Sequence, residues 1–147
     1  MKLINRDTDY GLKALLAIAG RRGDVTPVSA LTEELGIPRP YLRKIMQALA
    51  GKGIVWSFKG RGGGFVLGRP AKEIAMADVI RIFQGKISLH DCLFRKKLCP
   101  DVKTCPLRET ISRLEGRLVK DLEALSVASI LKAKKGRHKA RKTGGQP

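Results

Sequence analysis

Acidic residues, aromatics, histidines and long apolar runs are all scarce in this chain. Thirteen Asp and Glu face thirty Lys and Arg, a formal net charge of +17. Aromatics are 5% against 43% apolar residues overall, so the expected core is aliphatic. No stretch of 18 apolar residues occurs, which excludes an ordinary transmembrane helix. The opening "MKLINRDTDYGL" has neither the apolar h-region nor the cleavage site of a secretory signal. Cysteines number three, an odd count that argues against a secreted disulfide framework. The expectation is a cytoplasmic protein with reduced thiols and no membrane contact. Only His90 and His138 are available as imidazoles, and His138 lies in a polar tail. No Ser-His-Asp set, paired-carboxylate motif or cofactor loop stands out, so an enzyme is not expected.

The positive charge is unevenly spread. Residues 1–70 carry 12 basic and 5 acidic side chains, residues 71–131 carry 11 and 8, and residues 132–147 carry 7 and 0. A polyanion, nucleic acid above all, is the natural partner. The tail "KAKKGRHKARKTGGQP" has almost no apolar residues, and a disordered, non-specific electrostatic arm is expected over 132–147.

The first seventy residues read as helices followed by a hairpin. In residues 6–19, Tyr10, Ala14, Leu15 and Ile18 share one face at helical spacing, with Asp7 and Asp9 in the first turn, where acids suit the helix dipole. A second helix is expected from Ser29, its cap, to Leu35, with Gly36 closing it. Pro40 is tolerated only in a first turn, so a third helix begins near Arg39. Its stripe Leu42, Ile45, Met46 and Leu49 is inward, leaving Arg39, Tyr41, Arg43, Lys44 and Gln47 outward. "IVWSF", "KGRGGG" and "FVL" then read as strand, glycine-rich turn and strand. A P-loop is excluded because no Lys-Ser/Thr and no helix follow the glycines. Two helices about a tight turn and then a hairpin make a winged helix-turn-helix, mainly α with a small β wing.

Such a fold puts the N-terminal residues of the third helix near base edges in the major groove. The expected DNA contacts are Ser29, Arg39, Pro40, Tyr41, Arg43 and Lys44, with Lys59, Arg61 and Gly62 from the wing. After the wing, "RPAKEIAMADVIRIFQG" gives a link and a helix ending at Gly85, which closes a domain over 1–85. A cysteine-containing loop follows over 86–105. Pro106 then opens a long helix to about residue 130, the dimerisation element of 106–131. Leu107, Ile111, Leu114, Leu118, Leu122 and Leu125 form its seam, which packs on its own domain or, the favoured reading, on the same helix of a second subunit.

The loop "HDCLFRKKLCPDVKTCP" holds all three cysteines, Cys92, Cys99 and Cys105. Three thiolates suit three corners of an iron–sulfur cluster. His90 completes a Cys3His set for zinc. A metal-free thiol–disulfide switch and an idle site are the remaining readings.

The order of "TDYGLKALLAIA", "VSALTEELGIPRPYLRKIMQALAGKGIV", "GRGGGFVLGRPAKEIAMADVIRIFQG" and the cysteine loop before a long helix resembles the Rrf-type winged-helix regulators over residues 1–130. The resemblance implies a homodimeric bacterial transcription factor, a repressor by family habit, on an inverted-repeat operator. It implies that an iron–sulfur cluster held by three cysteines and a fourth ligand controls DNA binding, with redox state, nitric oxide, iron or cluster supply as signals. The histidine that the IscR type carries three residues after the last cysteine is replaced here by Arg108. The aspartate that the NsrR type supplies from the partner's first helix is matched by Asp9. By resemblance, a four-iron cluster on Cys92, Cys99, Cys105 and the partner's Asp9 is favoured over a two-iron one.

Overall fold

The computed structural model describes residues 2–89 and 103–143. Helix α1 (Arg6–Ala19) starts where Asn5 accepts a hydrogen bond from the Thr8 amide at 2.8 Å. It buries Ala14, Leu15 and Ile18 and half-buries Tyr10. Helix α2 (Val28–Leu35) begins one residue before Ser29 and ends on Gly36 in the left-handed conformation, φ 63°. The expected Ser29 cap is therefore corrected. The N-cap is Pro27, which has the extended backbone of a cap but no side-chain acceptor, and Ser29 sits inside the first turn. Helix α3 (Arg39–Gly51) carries Pro40 in its first turn and buries Leu42, Ile45, Met46 and Leu49 at 1% exposure or less.

Strands β1 (Val55–Phe58) and β2 (Gly64–Leu67) pair antiparallel in the register Val55–Leu67 to Phe58–Gly64. Thr26 extends this hairpin. Its amide and carbonyl exchange two 2.9 Å hydrogen bonds with Phe65, so β2 is flanked on both edges. The wing is thereby stitched to the entrance of α2. A 3-10 turn (Ala71–Glu73) and α4 (Met76–Gln84) follow. Gly11 is dictated by α4. A Cβ there would lie 2.5 Å from the Phe83 ring. Gln84 closes the other end of this contact. Its carbonyl oxygen accepts from the buried Thr8 hydroxyl at 2.6 Å and the Asn5 amide at 2.9 Å, and its amide donates to the Leu3 carbonyl at 3.0 Å.

The expected single helix to residue 130 is two helices. Helix α5 (Pro106–Ala124) stops at Leu125, whose backbone is extended, and α6 (Val127–Thr143) begins after Ser126. The break has a tertiary cause. The Met76 amide donates to the Leu125 carbonyl at 2.8 Å, and the Val127 amide donates to the Ile74 carbonyl at 2.9 Å. Ser126 and Ser129 then cap α6 reciprocally, each hydroxyl accepting from the other's amide at 3.1 and 3.0 Å. Val127 is fully buried in the core of the winged domain, and Ile130 and Leu131 pack against that core. Residues 127–131 thus pack into the core formed by the preceding helices and wing instead of extending α5.

The tail expected to be disordered over 132–147 is helical as far as Thr143 among the described residues. The buried first turns of α6 nucleate a helix that Ala, Lys and Arg propagate well. The core is aliphatic apart from Phe65. Helix α5 packs through Leu118, Val119 and Leu122 on a second, smaller cluster of Met76, Ala77, Ile80 and Ile87. Leu107 and Leu114 on its seam remain 68% and 52% exposed.

Candidate nucleic-acid interface and cysteine loop

Three elements converge on one concave surface. Pro27, Val28 and Ser29 come from the start of α2, Arg39, Arg43 and Gln47 from α3, and Ser57 to Gly60 and Gly63 to Phe65 from the wing. Together they line an open cleft of about 470 Å³. Arg39, Arg43 and Gln47 lie on one face because they are spaced four apart, and the buried stripe of α3 turns that face outward. The wing closes the far wall because the Thr26–Phe65 bridge holds β2 against Pro27. Gly64 permits that approach, since a Cβ there would lie 2.1 Å from the Thr26 carbonyl oxygen.

Arg39, Arg43, Lys44, Lys59 and Arg61 are all exposed, and the ion pairs among the described residues involve none of them. Among the described residues the cationic face is therefore not neutralised by ion pairs. A mixed floor of polar backbone, guanidinium and amide, with no acidic lining residue, suits phosphate and base edges.

The sequence-derived contacts divide into three groups. Ser29, Arg39, Arg43 and Lys59 share the cleft, and Pro40 borders it beside Arg39 and Arg43. Arg61 and Gly62 form the tip of the wing, Gly62 with φ 76°. Lys44 is exposed on α3 outside the cleft lining. Tyr41 is placed differently. Its hydroxyl donates to Asp7 on α1, and its ring meets Tyr10 edge-on at 5.6 Å between centroids. That hydrogen bond, reinforced by burial and by the negative charge of Asp7, raises the Tyr41 phenol above its ordinary pKa of 10.0. Gln47 belongs to the cleft and was not among the expected contacts, although its spacing from Arg43 carries the signal.

Of the cysteine loop, Cys105 lies among the described residues. It is the half-exposed N-cap residue of α5. Cys92, Cys99 and His90 lie outside the described residues. Asp9 projects from the first turn of α1, about half exposed, and pairs with Lys13 at 2.6 Å. The N-terminal flank of the loop is fastened to α5, and its C-terminal end runs into α5 through Cys105. Glu115 accepts from the Leu89 amide at 2.9 Å and from the Ser88 hydroxyl at 3.3 Å. Arg81 on α4 bonds Glu123 at 2.6 Å, a contact that raises the Arg81 pKa. No helix of the described residues is long and apolar enough to cross a membrane.

Comparison with known proteins places this architecture. The family model Rrf2, described as "Iron-dependent Transcriptional regulator", matches residues 4–133. CymR, the global cysteine regulator of B. subtilis, superposes with a TM-score of 0.76 at 24% identity, covering 90% of this chain and 98% of that one. T. potens IscR gives 0.69 at 22% identity, covering 91% and 88%. Staphylococcus aureus CymR gives 0.66 at 22% identity, covering 86% and 96%. A helix-turn-helix with a stitched wing, an un-neutralised basic cleft and a family match across nearly the whole chain lead to one conclusion: the protein belongs to the Rrf2 family of transcriptional regulators.

Proposed function

We propose that this chain is a homodimeric repressor that reads an inverted repeat in double-stranded DNA, under the control of an iron–sulfur cluster. The observation that carries the DNA part is the cleft shared by Ser29, Arg39, Arg43 and Lys59. Arg39 and Arg43, on the N-terminal half of α3, have the reach and donor geometry for guanine O6 and N7 in the major groove. Ser29 and the first amides of α2 take phosphate, and Arg61 at the wing tip enters the adjacent minor groove. The exposed seam of Leu107 and Leu114 on α5 meets the same helix of a second copy, setting two clefts one helical turn of DNA apart.

The sensor is assigned to Cys92, Cys99 and Cys105, with Asp9 of the partner subunit as fourth ligand. The donor set fits, because three soft thiolates with one carboxylate suit a four-iron cluster better than a hard-cation site. Bound there, the cluster supplies a centre whose integrity depends on iron, oxidants and nitric oxide. Asp9 is poised for this role at low cost. Its present partner is an exposed i,i+4 lysine, a contact worth under about 1 kcal/mol. Glu115 holds the start of the loop to α5, Cys105 at its other end leads directly into α5, and the Arg81–Glu123 pair ties α5 to α4. A change in the loop therefore reaches both the dimer helix and the reading domain, and spacing between the two clefts is what an inverted repeat measures.

The test of the DNA reading uses duplex sites enriched from a random library by the purified protein. Arg43→Ala is expected to weaken the enriched site by about 1–3 kcal/mol and to leave random duplex nearly unchanged. Equal losses on both would remove Arg43 as a base contact.

A further inference from the structure

We propose that the outer part of α6, residues 132–143, is a second DNA contact that grips the phosphates flanking the operator. The inference rests on the reading of the cleft as a duplex-binding site. Its own observation is the charge and seating of the helix. From Lys132 to Lys142 there are seven basic residues and no acidic one, and Lys132 to Arg137 are exposed. Helix α5 is a useful contrast. Its Arg and Lys are interleaved with Glu109, Glu115, Asp121 and Glu123. In α6 nothing offsets the charge. Lys132, Lys135, Lys139 and Lys142 repeat at intervals of three and four, as do Lys134, Arg137 and Arg141. Like charges at those spacings oppose helix formation, and a polyanion laid alongside reverses the effect.

The helix is also anchored in the right body. Val127, Ile130 and Leu131 seat its base in the winged-domain core, against α1, so the arm is carried by the DNA-reading unit itself. At 1.5 Å per residue its outer twelve residues reach about 18 Å, roughly half a turn of B-form DNA. The match to the family model ends at residue 133, so nearly all of the arm lies beyond the matched span.

Duplex DNA is favoured over a membrane surface by composition. An interfacial helix needs an apolar face, and beyond Leu131 the uncharged positions include only Ala133, Gly136 and Ala140 as non-polar residues before Thr143. Phosphates need no such face.

The experiment compares the full-length protein with a full-length variant in which the seven basic residues between Lys132 and Lys142 are glutamine, also a good helix former. Affinity is measured against salt concentration on the bare enriched operator, on the same operator with about ten flanking base pairs on each side, roughly one helical turn, and on random duplex. Single-stranded RNA and phosphatidylserine vesicles serve as further probes. Two phosphates per protomer, each contributing about 0.9, make the variant's log–log slope shallower by about 3.6 on the flanked operator. The two proteins should coincide on the bare operator and share one sequence preference. Equal slopes on the flanked operator overturn the proposal. So does an equal loss of slope on the bare operator, or arm-dependent binding confined to RNA or vesicles. If no duplex site is enriched at all, the cleft reading fails by itself. Random duplex then decides the arm: a shallower slope in the variant sustains it, and equal slopes defeat it.

Discussion

Gly64→Ala isolates the joint between fold and function. The added Cβ would lie 2.1 Å from the Thr26 carbonyl oxygen, 2.6 Å from its carbon and 2.9 Å from the Pro27 Cα. All three are backbone atoms, so no side chain can swing aside, and the Thr26–Phe65 bridge must open. Two 2.9 Å hydrogen bonds are lost, at about 1 kcal/mol each. Phe65, 7% exposed, also loses part of its seat in the core. The total is about 3 kcal/mol, a fall of roughly 6–12 °C in Tm for a chain of this size. Gly62→Ala is the control. Gly62 has φ 76° but open space around its Cβ position, so the substitution costs only backbone strain, about 1 kcal/mol. Thermal unfolding followed by circular dichroism measures both. Because the bridge also holds the wing against Pro27 to Ser29, Gly64→Ala should weaken binding of the enriched duplex at temperatures where it remains folded. A Gly64→Ala protein no less stable than Gly62→Ala, or one with undiminished DNA affinity, refutes the stitched-wing account.

Two further outcomes follow from local contacts. The phenol of Tyr41 should titrate above pH 10, read as absorbance near 295 nm, and Asp7→Asn should bring it back towards 10. Because its folded pKa is raised, the stabilisation it contributes is complete below the unfolded value and disappears as pH rises through the folded one; an Asp7→Asn protein with an unchanged titration removes the hydrogen bond from the account. Ser126→Ala deletes one half of the reciprocal cap of α6 and should destabilise the fold by about 1 kcal/mol in urea unfolding, whereas an unchanged midpoint would mean that the tertiary bridges alone hold the start of α6.

The elements that periodicity reveals were legible before any coordinates. The stripe Leu42–Leu49, Pro40 in the first turn of α3 and the glycine cluster between two β-prone runs each have a local physical cause, and each marks its element in the structure. What escaped was set by distant partners. Leu118, Leu122 and Leu125 continue one seam, so nothing in that pattern announces a break. The break is made by Ile74 and Met76, some fifty residues earlier. The Ser126-x-x-Ser129 pair was the one local sign of it. Tyr41 sits on the outward side of α3 by spacing alone, yet Asp7 and Tyr10 lie within its reach and turn it towards α1. Ser29 was offered as a cap by residue type, but Pro27 already fixes the extended backbone that a cap requires. The basic end of α6 looked disordered because a polar sequence cannot bury itself, and the anchoring residues Val127, Ile130 and Leu131 precede it.

The central claim is that the thiols control DNA binding through an iron–sulfur cluster. The most direct measurement is an anaerobic purification, with a visible spectrum and iron and sulfide assays, followed by titration of the enriched duplex before and after iron chelation. The account predicts a brown protein with equal iron and sulfide, whose DNA affinity changes on chelation. It also predicts that serine at Cys92, Cys99 and Cys105 abolishes both colour and change. A protein that stays colourless after anaerobic reconstitution, and binds the duplex as tightly as the triple-serine variant, contradicts it.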